Sequence, residues 1–474
     1  MTGPPRDRRL LFNVGVLGVS QVTAQGLNVL ALLWVARVLG TEQFGVVQVG
    51  VAFSAYALLI SEMGLMSLGI RDLSRLTDLG AIRTYIRHHL GLLGVLALLT
   101  GVVGVLVLPT LPFYSQAPAV FLIYLALVLA QWGMLDWVTT GLQNQKWTGI
   151  FWVARSALYA GLVALFLPSD GTRWGISALV LVPAFYWGAH VAADALLAAR
   201  VVRMVRGRLT PLADSGVWRA RLVAAAPIGG SLVVVRVLYN ADILLLGVLA
   251  DASAAGIYAA ASKLVQVLVI GAEVVWKVLL PRLSQTWSTD PEGFCRDFSR
   301  TLGLAVVALT PIAVLGIQLS DFAMTALYSD EFAGAGAPLR QLVVAYPLLA
   351  LGIFLGNGLI ACDRQHRYLP SVTAAAVAMI GLNVVLIPRS QELGASWAVL
   401  LSALVLVLTT GLQMRGELRP TALRPLLAAL AGGLAAFVVM RWVPLPHVVA
   451  SAAVALAAYA LVVTPLILPV LRRR

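Results

Sequence analysis

Apolar runs of 18 residues or more recur along the whole of this 474-residue chain, and they fix the solvent before they fix the fold. A run of that length is what a helix needs to cross ~30 Å of hydrocarbon. Leu10–Ala36 holds no charged residue over its 27 positions. That is too long for the apolar core of a signal peptide, so it reads as a retained first helix. Only 12% of residues are charged and 60% are hydrophobic, whereas a soluble domain covers itself with about a quarter charged residues. Apolar runs set against turn and charge clusters place spans near 10–38, 44–68, 91–108, 118–140, 147–168, 174–198, 222–248, 256–280, 301–320, 338–361, 370–388, 394–414, 425–440 and 447–470. The expected fold class is an all-α integral membrane protein with about fourteen transmembrane helices.

Lysine and arginine in short loops set orientation. With the N-terminus inside, 25 of the 34 basic residues fall in inside segments, six lie within spans, and only Arg173, Arg389 and Arg441 lie outside. The bias holds loop after loop and predicts both termini in the cytoplasm of a bacterial-type inner membrane. The net charge of +13 therefore follows the membrane, and no nucleic-acid partner is implied. The inner loops, Thr210–Leu222 among them, are expected along the anionic leaflet.

Several classes are excluded. The two cysteines, Cys295 and Cys362, form no CxxC pair, so neither a disulfide framework nor a zinc site is indicated. Both are expected to face the cytoplasm and stay reduced. No GxxxxGK[ST] is present, so the chain is not expected to hydrolyse nucleotide. The longest outer segment, about 321–337, is too short for a catalytic domain. A membrane saccharide polymerase would need a large outer loop, and a non-enzymatic transporter is the reading that remains.

The two halves repeat. VLGTEQFG (38–45) joins spans 1 and 2, and VLADASAAG (248–256) joins spans 7 and 8 with one extra residue. Beyond that insertion Gly45 matches Gly256, Glu62 matches Glu273 and Arg71 matches Arg282, all at one offset. Both repeats start at the same parity of spans, so they run parallel. Parallel repeats imply two lobes about a pseudo-twofold along the membrane normal, with a site between them.

VARVLGTEQFGVVQVGVAFSAYALLISEMGL…IRDLSR (35–75) and APIGGSLVVVRVLYNADILLLGVLADASAAGIYAAASKLVQVL…LLPRLSQ (226–285) resemble the lobe openings of the polysaccharide-type flippases. These form one branch of the multidrug/oligosaccharidyl-lipid/polysaccharide (MOP) superfamily. LYSDEFAGAGAPLRQL (327–342) and NVVLIPRSQELGASWAVLLS (383–402) are similar to two further stretches of the same family. The resemblance runs to about residue 410. It implies a lobe of spans 1–6 (1–208), a lobe of spans 7–12 (209–414) and a terminal helix pair (415–474). It also implies a central cavity lined by spans 1, 2, 7 and 8, alternating access, and a polyprenyl-diphosphate-linked oligosaccharide as cargo for cell-surface polysaccharide. Glycosyltransferases and a polymerase are the partner machinery to expect, beside the bilayer itself. A lipid II flippase is the alternative within this branch. A drug or ion exporter of the superfamily fits less well, since its signatures are absent.

Ionisable groups inside a bilayer cost roughly 2.5–3.5 kcal/mol at a helix centre, so each needs a reason. Arg236 stands near the middle of span 7, with Asn240 one turn on and Asp242 nearly two turns beyond. A guanidinium grips a diphosphate bidentately; a salt bridge to Asp242 or Glu62 is the alternative. In span 8, Lys263, Gln266, Glu273 and Lys277 fall on one helix face. They read either as cavity lining or, for Glu273 and Lys277, as an i,i+4 pair. Arg37 lies near the outer end of span 1, to meet substrate or to snorkel. Arg236, Lys263, Asn240, Gln266, Arg37 and Lys277 are thus the candidate substrate-binding set. Glu62, Asp242 and Glu273 are the candidates for proton or sodium coupling; no cofactor or metal is implied. Asp136, Arg155 and Asp194 are expected to pair with one another, Arg340 to anchor at the outer interface, and His88 and His89 to lie at the lipid surface. Tryptophans near span ends form an aromatic belt.

Overall fold

A computed structural model describes residues 6–167, 172–173, 175–419, 423–442 and 448–472. Within them, the side chains of 6–14, 131, 172–173, 239, 267–282, 284–285, 423, 448–449 and 469–472 are not described. In hydrocarbon every backbone N–H and C=O must be satisfied within the segment, and the apolar runs accordingly fold as helices.

Twelve of the fourteen expected spans fall on a helix or on one arm of a bent helix. Spans 1 and 2 are the arms of α1 (Arg6–Glu62), bent at Gly40 where φ is 67°. Next come α2 (Leu65–Leu73), α3 (Leu79–Val107), α4 (Pro118–Ala130), the short α5 (Asp136–Gly141), α6 (Gln145–Phe166), α7 (Ala178–Met204) and α8 (Ser215–Leu249). They are followed by α9 (Ala252–Thr289), α10 (Pro291–Leu327) and α11 (Gly336–Ala361). Spans 11 and 12 are the arms of α12 (Gln365–Gln413), turned at Gln391; α13 (Leu423–Trp442) and α14 (Val448–Arg472) end the chain. Ten of these helices are long and apolar enough to cross a membrane among the described residues. A two-residue antiparallel pair, Thr172–Arg173 with Ile176–Ser177, closes the loop before α7.

Two expected spans are broken. Span 2 stops at Met63 and Gly64, both in the left-handed region (φ 46° and 79°), and resumes as α2. Span 4 ends at Ala130, passes through a 3-10 turn at Gln131–Gly133, and restarts as α5 at Asp136. The helices on the basic side begin with aspartate caps. Asp78 accepts from the Ala81 N–H, Asp214 from Gly216 and Val217, and Asp290 from Gly293, each satisfying amides that a helix start leaves unpaired.

The chain separates into two compact units, Met1–Gly256 and Ile257–Arg474. In the first, α1 packs on α6, α8 and α4, and Trp137, Ile86 and Val201 gather in a core at its basic end. In the second, α11 packs on α12 and α10. Lipid is as apolar as leucine, so close approach rather than the hydrophobic effect holds such helices together. Gly352 and Gly356 supply it on α11, where an added Cβ would meet Leu406 at 2.7 Å and the Tyr368 ring at 2.1 Å. The terminal pair α13–α14 lies against α10, where the Tyr459 hydroxyl donates to the Val307 carbonyl at 2.6 Å.

The repeated turns meet. A Cβ on Gly45 would lie 1.7 Å from the Ala252 carbonyl oxygen, and one on Gly256 would lie 2.0 Å from that of Thr41. The glycines matched by the sequence repeat are therefore the two that let these backbones touch, with the Ser253 hydroxyl donating to Thr41 Oγ1 at 3.3 Å beside them.

Candidate functional site

The residues singled out in the sequence lie on α1 and α8 in the first unit and on α9 in the second. On α8, Arg236 is exposed and its guanidinium joins no ion pair among the described residues. The expected alternative of a bridge to Asp242 or Glu62 is therefore not formed. A bare guanidinium facing hydrocarbon is costly, so an exposed Arg236 requires a watered space at that depth.

Tyr56, on the second arm of α1, lies beside Arg236. Its hydroxyl donates to the Arg236 carbonyl at 3.4 Å, and the charges of both Asp242 and Arg236 act on it. Asp242 is fully buried, and its Oδ1 accepts from the Ile243 N–H at 2.8 Å. Asn240 is half-buried on the same helix, and Arg37 is exposed three residues before the Gly40 bend. Glu62 is half-buried in the last turn before the Met63–Gly64 break. Glycine is required there: a Cβ on Gly64 would come within 2.5 Å of the Gly229 amide nitrogen on α8. Residues on α1 and α8 are thus held in register by backbone contact.

In the second unit the shared face of α9 is borne out where it is described. Lys263 Nζ donates to Gln266 Oε1 at 3.2 Å, and Gln266 Nε2 donates to the Tyr346 hydroxyl at 3.1 Å. Tyr346 is buried to 1% exposure on α11, so the chain of bonds is anchored in the packed interior. The Glu273 and Lys277 side chains lie outside the described residues, as does that of Arg282.

Sequence reasoning missed Tyr56 and Tyr346. Each is one hydroxyl in an apolar helix, and nothing in its spacing separates it from core tyrosines such as Tyr258 or Tyr328. Other expectations need correction. Asp136, Arg155 and Asp194 are close enough for the first two charges to act on the third, yet among the described residues they form no ion pair. Asp136 instead accepts from Trp152 Nε1 at 3.5 Å, and Asp194 Oδ2 is buried without a hydrogen-bond partner. The break in span 4 resets the helical phase of Asp136, which is why sequence spacing misjudged it. His89 is not at the lipid surface: it is fully buried against Trp137, ring centroids 4.4 Å apart. Arg340, half-exposed, pairs with Asp321. Cys295 and Cys362 are free thiols but buried, and burial pushes the Cys362 thiol up to about 12 against the weaker pull of Arg364. Among the described residues no His, Cys, Asp and Glu cluster is fit for a metal ion.

Ten helices long and apolar enough to cross a membrane among the described residues define a multi-pass membrane protein. The fold is shared with solved MOP transporters. The lipid II flippase MurJ in an inward closed conformation superposes with a TM-score of 0.74 at 11% identity, over 96% of this chain and 99% of that one. An inward-facing multidrug resistance MATE transporter of the MOP superfamily gives 0.61 at 13%, over 84% and 95%. A MOP superfamily transporter from Pyrococcus furiosus gives 0.50 at 14%, over 85% and 96%. No curated protein matches the chain by sequence. The profile of the family described as "Polysaccharide biosynthesis protein" matches residues 10–287. The chain belongs to that family.

Proposed function

We propose that this protein moves a polyprenyl-diphosphate-linked oligosaccharide from the inner to the outer leaflet of a bacterial-type cytoplasmic membrane, for cell-surface polysaccharide synthesis. The observation that carries the reading is Arg236: an exposed guanidinium on a membrane-crossing helix, in no ion pair among the described residues, on the same helix as a buried Asp242 and bonded through its carbonyl by Tyr56. An anionic diphosphate passing through hydrocarbon needs a cation at depth, and the planar guanidinium offers two parallel donors to it. Lys263, bonded to Gln266, which in turn bonds Tyr346, is the second cation proposed to meet the cargo. Arg37 and Asn240 line the path, and the saccharide stays in water as the two lobes alternate. Both termini face the cytoplasm, as the distribution of lysine and arginine supports.

Lipid II, also a saccharide on a diphosphate lipid, is the second reading, favoured by the extent of the MurJ superposition. Complementation separates the two. In cells lacking either the polysaccharide flippase or the lipid II flippase, this chain restores surface polysaccharide and not growth. Restored growth without the polysaccharide would favour the second reading.

A further inference from the structure

The two largest basic segments, 71–89 and 199–221, hold ten arginines and three aspartates between them, a net charge of +7. The structure joins them into one surface. The Leu212 N–H donates to the Arg87 carbonyl at 3.0 Å, and Arg87 donates to the Thr210 carbonyl and hydroxyl at 2.8 and 3.0 Å. Trp218 Nε1 donates to the His88 carbonyl at 3.1 Å. Gly91 admits the Leu212 carbonyl, which a Cβ would meet at 2.3 Å. The segment between α7 and α8 is therefore pinned along the start of α3.

All three aspartates are spent internally. Asp72 takes Arg71 and the Tyr85 hydroxyl, at 2.9 and 3.0 Å, while Asp78 and Asp214 cap helices. Some arginines are spent too: Arg87 on Thr210, Arg221 over the Tyr85 ring at 3.9 Å, and Arg200 over Trp147 at 4.4 Å. Arg83 lies against Gly207 with its Nε buried and unpartnered. Arg203, Arg206, Arg208 and Arg219 remain exposed, without a hydrogen bond or ion pair among the described residues. Arg206 adopts φ 53° in the turn that ends α7, closed by the Gly207 N–H on the Val202 carbonyl at 3.3 Å.

We propose that this surface binds the headgroups of anionic phospholipids in the leaflet on its side of the membrane, with Arg203, Arg206, Arg208 and Arg219 as the phosphate-binding groups. Three features favour lipid over a soluble acidic partner. The arginines sit at the ends of membrane-crossing helices. Trp132, exposed and donating to the Leu90 carbonyl at 2.9 Å, marks the headgroup depth at which tryptophan settles. Arginine forks also match phosphate oxygens pairwise. A basic residue at an anionic surface contributes about a fivefold preference. The inference stands whichever saccharide is carried.

The test uses the full chain in nanodiscs of mixed phosphatidylcholine and phosphatidylglycerol, with the retained lipid measured by native mass spectrometry. The wild type is expected to retain phosphatidylglycerol well above its share of the bilayer. Arg203→Gln/Arg208→Gln/Arg219→Gln should lose most of that excess, and the corresponding triple lysine variant should keep it. Arg415→Gln/Arg419→Gln, on the other basic loop, should leave it unchanged. An unaltered excess in the first triple variant would overturn the proposal, as would retention of a soluble acidic protein in place of lipid. If the triple variant does not fold, wild-type melting decides: a larger Tm rise with phosphatidylglycerol than with phosphatidylcholine supports the surface, and equal rises refute it.

Discussion

The polar centre of the first unit and that of the second hold their cations differently. Arg236 is exposed and in no ion pair among the described residues, and its carbonyl accepts from Tyr56. Lys263 is tied to Gln266, and Gln266 to a buried tyrosine. A cation without an internal partner keeps its whole hydrogen-bonding capacity for a ligand, while a tethered one gives up part of that capacity in return for a fixed position. On the proposed function, Arg236 is the residue expected to grip an anionic cargo, and Lys263 the one held in a fixed position. Charge-assisted hydrogen bonds are worth about 1.5–3 kcal/mol, so the two should differ in how much substitution costs.

The largest expected effect follows from Arg236. Arg236→Ala should reduce transport by roughly 30–100-fold at limiting substrate, the loss of one charge-assisted contact, while Arg236→Lys keeps a part. Surface polysaccharide in a complementation assay reads the difference, with membrane levels of the protein as control. Equal loss in both variants would mean that geometry rather than charge is at stake. Next in size are the two matched turns that touch within the first unit. Gly45→Ala and Gly256→Ala each drive a methyl into a carbonyl, at about 1–3 kcal/mol. Each should lower the Tm in detergent by several degrees, and Gly15→Ala, with open space around it, should not. An unchanged Tm would show that the two turns do not depend on this contact.

Tyr346→Phe removes one partner of Gln266 and should cost about 1 kcal/mol, seen as a several-fold weaker response to substrate. Lys263→Ala should do more than Tyr346→Phe, since it removes the charge itself; the reverse order would make the tether a packing device. The smallest effect is chemical. The Cys362 thiol, pushed up to about 12 by burial, carries almost no thiolate at neutral pH. Its maleimide labelling should stay slow even in permeabilised cells and speed up only as pH rises toward that value, since thiolate is the reactive form. Fast labelling at pH 7 would place the residue in solvent.

How far the sequence could be read depended on the scale of the feature. The fourteen spans were legible because a stretch such as Leu10–Ala36 has no charge to offer water, and basic clusters punctuate the runs. The shared face of Lys263 and Gln266 was legible from helical period alone. The repeat was legible too, although its consequence, backbone contact at Gly45 and Gly256, needed coordinates. The breaks at Met63–Gly64 and Gln131–Leu135 were not legible. Tertiary contact with Gly229 fixes the first, and the second falls where the predicted span of 118–140 runs through Gln131 and Gly133. Burial of His89 was hidden for a related reason: its neighbours in sequence are basic, while its neighbours in space are Trp137 and Tyr85. Tyr346 was missed because the residue that needs it lies on another helix.

Coupling follows from the same contrast. On the proposed function, outward flipping would draw on an ion gradient, on product consumption or on the membrane potential, which contributes about 2.3 kcal/mol per charge per 100 mV. Glu62, Asp242 and Glu273 are the acids proposed to carry a proton or sodium ion. Replacing all three by Gln should abolish the response to a pH gradient while the response to potential persists. If the pH response survives, these acids are structural.

The central claim is that an unpaired guanidinium carries a diphosphate lipid across. Flipping of a short polyprenyl-diphosphate disaccharide in proteoliposomes, beside its monophosphate counterpart, tests it most directly. The wild type should prefer the diphosphate, Arg236→Ala should lose both the rate and the preference, and Arg236→Lys should be slower with some preference left. Undiminished diphosphate flipping by Arg236→Ala would contradict the account.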